Sequence, residues 1–200
     1  AAMEETSVKT IERIPMMWAV GITVMISLPF GSFLGTYNFS LWISFIVWAE
    51  YFVLGGTPAT AKLIFPSIPF GAAMGVGWCV CAALVESVLP VWMQEQNFWG
   101  MFLTTPIWLP GLIWVMNKWK PWVEGTLATF NGFSLFLGVY GVGCYPQVGA
   151  VDNVFWVIIL SWIWTVAMCY FGWVLGWLNV TLTFPKKVEV KPKNECEKEE

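Results

Sequence analysis

Long apolar stretches separated by short polar connectors dominate the chain. Six such stretches can be marked, at residues 15–37, 39–54, 63–89, 98–117, 125–144 and 154–178. A helix needs roughly 17–25 apolar residues to cross the hydrocarbon core of a bilayer. Five stretches reach this length, whereas the second has 16 residues and includes Glu50. The pattern therefore predicts an all-α, polytopic membrane helix bundle with about six transmembrane helices.

The composition agrees with a membrane protein and divides the chain into three regions. Hydrophobic residues make up 58% of the sequence and charged residues 12%, against about 25% charged in a typical soluble domain. We expect a cytoplasmic N-terminal segment at 1–14, a transmembrane helical domain at 15–179 and a charged cytoplasmic tail at 180–200. The tail mixes both charge signs, which predicts disorder.

The basic residues predict the orientation of the bundle. All ten Lys and Arg fall in the two terminal segments or in the connectors that follow the second and fourth stretches. The remaining connectors have none, so the positive-inside rule places both termini in the cytoplasm. We expect the lipid bilayer of the cell inner (plasma) membrane as the environment. Removing the short second stretch would put lysines on both sides, which favours the count of six.

Glu50 is the most informative single residue, because it lies with Tyr51 inside an apolar run. A carboxylate at membrane depth costs about 2.5–3.5 kcal/mol on insertion scales and usually faces a bundle interior or a wet cavity. One interpretation makes Glu50 part of a solute or proton pathway. The other makes it a structural acid that pairs with a lysine or Tyr51, or that reaches the interface.

A second polar group lies near the start of the fifth stretch. Asn131 is about two turns into it, on the same predicted side as Glu50, with Thr129 and Ser134 close by. One hypothesis is that these residues and Glu50 line one polar pocket. The alternative is that Asn131 makes an ordinary hydrogen bond between helices.

Small residues and prolines indicate how the helices pack. Gly71 and Gly75 in the third stretch, and Gly172 and Gly176 in the sixth, have the four-residue spacing that lets a neighbouring helix approach closely. We interpret them as packing positions, within one chain or between subunits. Prolines inside the stretches predict either unwound backbone at a solute site or kinked packing; they are Pro29, Pro66, Pro69, Pro106 and Pro110.

A weak internal repeat relates the two halves. A shift of 88 residues places Gly55 and Pro58, which end the second stretch, on Gly143 and Pro146, which end the fifth. With three spans in each half, such repeats have opposite orientations in the membrane, as in many transporters. Two inverted three-helix repeats are one interpretation of this match, and chance similarity between aromatic-rich spans is the alternative.

The sequence favours no enzymatic chemistry. It contains no histidine, which removes the usual general base and the commonest metal ligand, and it has no glycine-rich phosphate loop. The five cysteines are interpreted as small apolar residues. We expect no catalytic residue, no metal, no cofactor and no nucleic-acid partner. The expected partner is a second copy of the chain or another subunit of a membrane complex.

Two short motifs carry a family resemblance. The run at 41–56, which holds an aromatic residue, Phe, Tyr51-Phe52 and a glycine pair, resembles the second span of the YcdZ-like family of small bacterial inner-membrane proteins. The run at 127–132 is similar to a later Ala-Thr-Phe-Ala-Gly pattern of that family. Glu50 and Asn131 replace small residues of the family pattern. The resemblance implies a membrane helix bundle and no particular activity.

Two functions remain open from the sequence. The first is a channel or transporter for a small solute, which is supported by Glu50, Asn131, the prolines and the repeat. The second is a non-transporting accessory or scaffold subunit of a larger membrane complex, which is supported by the abundant aromatic residues and the packing glycines.

Overall fold

The chain folds into a helical bundle with a small strand pair at its ends. The computed structural model describes residues 7–93, 98–118, 120–147 and 153–190. In chain order the elements are β1 (Ser7–Ile11), α1 (Met16–Phe33), α2 (Leu41–Val53), α3 (Ala61–Ser87), α4 (Phe98–Lys118), α5 (Lys120–Glu124), α6 (Thr126–Val142), α7 (Val154–Leu182) and β2 (Lys186–Val190).

The helices differ in how easily they cross a membrane. Four of them, α1, α3, α4 and α7, are long and apolar enough to do so, which confirms the predicted helical, membrane-type architecture. α2 has 13 residues and α6 has 17, so they rise about 20 and 26 Å at 1.5 Å per residue. The hydrocarbon core is about 30 Å thick. The count of six crossings therefore depends on these two short helices.

The two ends of the described chain lie together. β1 pairs with β2 in an antiparallel ladder that runs from Ser7 opposite Val190 to Ile11 opposite Lys186. Beside the ladder, the backbone N–H groups of Arg13 and Ile14 donate to the carbonyl of Thr183 at 3.0 and 3.3 Å. Both chain ends therefore emerge on the same side of the bundle.

This strand pair changes the expectation for the C-terminal tail. The bundle itself is helical as predicted, but the two chain ends add a short strand pair. The tail predicted as disordered from residue 180 continues α7 to Leu182 and then forms β2. The strand was missed because its partner comes from the opposite end of the chain, which no local pattern reveals. Residues 191–200 of the predicted tail lie outside the described residues.

A core shared by four helices forms the centre of the bundle. α2, α3, α6 and α7 contribute to its largest buried apolar cluster, while α1 lies against α7 and α4 against α3. The cluster consists of Ile43, Val47, Ile64, Ile68, Ala128, Leu135, Val139, Met168 and Cys169. Helix pairs that are distant in sequence are therefore held together in the centre.

Backbone meets backbone where α3 packs on α6. A methyl group added to Gly71 would overlap the carbonyl oxygen of Thr129, and one added to Gly132 would overlap the carbonyl oxygen of Ile68. Since each helix contributes a glycine against the other's backbone, the two axes come closer than any larger residue permits. We call this region the α3–α6 contact.

A matching approach joins α2 to α7. A methyl group at Gly172 would overlap the carbonyl oxygen of Ser44, and one at Gly176 would lie 2.7 Å from ring atoms of Tyr51. The Ser44 hydroxyl also donates to the carbonyl of Met168 at 2.8 Å. The structure thus places both predicted glycine pairs at contacts within a single chain. We call this region the α2–α7 contact.

The prolines do not unwind their helices. Pro66 and Pro69 lie inside α3, which is continuous from Ala61 to Ser87, and α1 and α4 also run through their prolines. Pro69 has no N–H for the carbonyl of Phe65, four residues earlier. The Tyr170 hydroxyl on α7 donates to that carbonyl at 2.8 Å. The hypothesis of unwound backbone is therefore wrong at these positions.

The α3–α6 contact predicts a sharp difference between two glycines. Gly71→Ala should lower the free energy of unfolding by about 1–3 kcal/mol, because the added methyl meets backbone that cannot rotate away. Gly111→Ala in α4 meets nothing within 4 Å, so it should be neutral or stabilising by up to about 1 kcal/mol. Equilibrium unfolding of the two variants in mixed micelles measures both. Equal effects would contradict the close approach.

Candidate functional site

Glu50 lies in the last turn of α2 and is only 3% exposed. Its neighbours along the same buried face are Val47 and Tyr51, so α2 turns the carboxylate inwards with its apolar residues. One carboxylate oxygen, Oε2, accepts a hydrogen bond from the Asn131 side-chain nitrogen at 2.8 Å. This bond joins two side chains that are 81 residues apart in the sequence.

Asn131 reaches Glu50 from the second turn of α6. Its side chain is half-buried, whereas the carboxylate to which it donates is buried. The predicted proximity of Glu50 and Asn131 is thus present in the structure, in the form of a hydrogen bond between helices. Such a bond does not distinguish packing from function by itself. The groups around it therefore matter.

The second carboxylate oxygen of Glu50 is buried, and none of the described residues donates a hydrogen bond to it. The pairing with a lysine or with Tyr51 that the sequence allowed is not found among them. A buried charge without a full set of hydrogen-bond partners lowers the stability of the fold, and removing its remaining partner lowers that stability further. The Glu50 carboxylate therefore retains the capacity to accept a further hydrogen bond.

Tyr51 packs against α7. Its ring is fully buried against Gly176 and meets the Trp173 ring edge-on at a centroid distance of 6.1 Å. Trp173 in turn donates from its indole nitrogen to the Thr60 hydroxyl at 3.0 Å. The Tyr51 hydroxyl is bonded to none of the described residues. It is a second buried polar group with unused hydrogen-bonding capacity.

The other two candidates from α6 lie elsewhere. Thr129 is buried beside Gly71 in the α3–α6 contact, and within the described chain its hydroxyl has no partner. Ser134 is exposed on the surface of α6. The structure therefore joins Glu50 with Asn131 directly, places Thr129 against α3, and removes Ser134 from the buried set that we predicted.

Asn179 is a buried polar residue that the sequence interpretation missed. It is fully buried in α7, and neither of its side-chain polar atoms bonds to a residue in the described ranges. It follows Gly172 by seven positions and therefore lies on the same helix face. The predicted sixth apolar stretch ended at 178, whereas α7 continues to Leu182 and includes Asn179. An asparagine in phase with two packing glycines was the available signal.

Comparison of the chain with models of protein families, with curated proteins and with solved structures found no match. Membership of the YcdZ-like family therefore stays a prediction. The interpretation of the site depends on its own geometry.

The bond between α2 and α6 predicts a non-additive pair of substitutions. Asn131→Leu should lower the free energy of unfolding by about 1–3 kcal/mol, because it leaves the buried Glu50 carboxylate without its described partner. Adding Glu50→Leu should recover much of that loss, since an apolar pair replaces a polar one. Ser134→Ala, on the exposed surface, is the control and should change stability by less than about 0.5 kcal/mol.

A double-mutant cycle in mixed micelles gives the coupling between the two positions. Effects that simply add would show that the two side chains do not depend on each other.

Proposed function

We propose that this chain is a small-solute channel or transporter, and that the Glu50–Asn131 pair binds the solute. The supporting observation is the Glu50 carboxylate, which is buried between helices and bonded through one oxygen only to a described residue. Polar groups inside membrane bundles are costly, and they commonly mark solute or ion pathways. An N–H or O–H group of a solute would supply the missing donor.

The proposal includes six spans with both termini in the cytoplasm of a cell bounded by its inner (plasma) membrane. The basic residues support this orientation. The pairing of β1 with β2 fits it, because both ends lie on one side. At the other side, the Asn38 side chain donates to the carbonyl of Tyr145 at 3.0 Å, which joins two of the three connectors that the six-span arrangement places outside.

An inverted repeat is part of the proposal, and the two glycine contacts support it. Gly71 and Gly75 of α3 meet Thr129 and Phe136 of α6, as Gly172 and Gly176 of α7 meet Ser44 and Tyr51 of α2. The positions correspond regularly, since Thr129 and Phe136 each follow Ser44 and Tyr51 by 85 residues. The shift of 88 residues found in the sequence differs from this shift of 85 residues by about one helical turn.

Repeats of this kind give transporters two similar halves that can rock against each other around a fixed site. In this chain the halves are α1–α3 and α4 with α6 and α7. The Glu50–Asn131 bond connects one half to the other. The α3–α6 and α2–α7 contacts also join the two halves, so a solute that replaces Asn131 as the partner of Glu50 would loosen one connection among several.

An accessory or scaffold role is the second candidate, and the packing of the interior favours it. Three buried apolar clusters occupy the described core, and the outer helices present large exposed side chains such as Phe102, Ile107 and Trp114 on α4. Lipid or another subunit would cover such a surface. This candidate needs no flux through the bundle, so transport measurements separate the two.

Cysteine labelling tests the six spans. Single cysteines at the exposed positions Thr36, Thr57, Glu124 and Asn153, in a variant without native cysteines, should react with a membrane-impermeant maleimide from opposite sides. Thr36→Cys and Asn153→Cys should label in intact cells, and the other two only after lysis. Thr36→Cys and Thr57→Cys labelling from the same side would show that α2 does not cross.

Solute uptake tests the function. Purified protein in liposomes should carry at least one small neutral solute with N–H or O–H groups several-fold faster than empty liposomes, measured by stopped-flow light scattering. Glu50→Gln should reduce the rate about tenfold or more, since a carboxylate hydrogen bond contributes about 1.5–3 kcal/mol. Glu86→Gln is the matched control, because that carboxylate is also buried but accepts from the Gly100 N–H at 3.0 Å.

Flux that Glu50→Gln and Glu86→Gln reduce equally would argue against a special role for Glu50. The absence of flux above that of empty liposomes, together with copurification of another membrane protein, would favour the accessory role.

A further inference from the structure

A cleft of about 620 Å³ opens at the end of the bundle where the two chain ends meet. Arg13, which precedes α1, and Tyr51 of α2 contribute to its lining. Trp177 and Val180 of α7 line it as well, together with Phe184, which follows the end of α7. Pockets that hold small molecules have volumes of about 300–1,000 Å³ and mostly apolar walls with a few polar groups. The cleft has both properties.

Arg13 supplies the positive charge of the cleft. Its backbone is fixed by the hydrogen bond from its N–H to the Thr183 carbonyl. Its acidic neighbour, Glu12, accepts a hydrogen bond from the Met16 N–H at 3.1 Å. Among the described residues that line the cleft, none is acidic. An anion that enters the cleft therefore meets a guanidinium without a competing carboxylate on the walls.

Phe184 forms an apolar wall in an unusual backbone conformation. Its φ is +45°, in the left-handed region that bulky residues rarely adopt. Its side chain is largely exposed in the cleft rather than packed in the core. Backbone strain of this kind concentrates at binding sites. The chain turns after α7 at this residue, and Phe184 and Trp177 both line the cleft.

We propose that this cleft binds an amphipathic anion, with a phosphate or carboxylate head at Arg13 and an apolar body against Trp177 and Phe184. The guanidinium matches such heads with paired hydrogen bonds. The site is separate from the Glu50–Asn131 pair and does not depend on transport. Its ligand is either a membrane phospholipid or a free soluble amphiphile.

Binding measurements on the full chain in a neutral detergent test this site. The probes are inorganic phosphate, hexyl phosphate, dihexanoyl phosphatidate and dihexanoyl phosphatidylcholine, with isothermal titration calorimetry as the readout. Both anionic amphiphiles should bind at least tenfold more tightly than phosphate or the zwitterionic lipid. A tenfold preference for the phosphatidate identifies a lipid as the ligand, and a preference for hexyl phosphate identifies a soluble amphiphile.

Variants assign the contacts. Arg13→Gln should weaken binding of hexyl phosphate about tenfold or more. Lys62→Gln, an exposed basic residue outside the cleft, should leave it unchanged. Phe184→Ala should weaken hexyl phosphate but not inorganic phosphate. Thermal unfolding of each variant, measured in parallel, shows that the fold is retained.

Two results would overturn the proposal. One is binding of hexyl phosphate that Arg13→Gln and Lys62→Gln affect equally. The other is inorganic phosphate binding as tightly as hexyl phosphate, because the apolar walls would then contribute nothing.

Discussion

The close approach of helix backbones at glycines is the constraint on which the rest of this bundle depends. Helices in lipid gain little from hiding apolar side chains from one another, so close packing and hydrogen bonds hold them together. Gly71 and Gly132 bring α3 against α6, and Gly172 brings α7 against α2. Once these two helix pairs are fixed, α2 and α6 can face each other only across a narrow space. Glu50 and Asn131 meet in that space.

The sequence predicted what depends on local patterns. Apolar length gave the positions of the long helices to within a few residues, and glycine spacing identified the packing positions. The nearness of Glu50 and Asn131 followed from the alternation of charged connectors, which placed both near the same membrane face. The exposure of Ser134 was not predictable in this way, because it depends on which side of α6 meets a neighbour. The β1–β2 pair and the depth of Asn179 also depend on distant contacts.

The two glycine contacts explain why the buried polar groups lie where they do. α3 and α6 begin at the end of the bundle where α2 and α7 finish, and residues at this end include Tyr51, Ser67 and Asn179. Each has a buried side-chain polar atom that bonds to none of the described residues. Because helices are closest at their glycines, a polar side chain beside such a contact has little room to turn towards solvent. These polar atoms therefore stay buried instead of turning outwards to form hydrogen bonds with water.

A comparison of two carboxylates shows that an unused hydrogen-bonding position is not a general property of buried acidic residues in this bundle. Glu50 and Glu86 are the same residue type and are buried alike, at 3% and 6% exposure. Glu86 accepts from the Gly100 N–H in the first turn of α4, where negative charge is favoured by the helix dipole. Its role in joining α3 to α4 is sufficient to explain it. Glu50 has a side-chain amide as its described partner and one buried oxygen to spare. Structural need therefore explains the Glu86 carboxylate, whereas the Glu50 carboxylate keeps one buried oxygen to which no described residue donates.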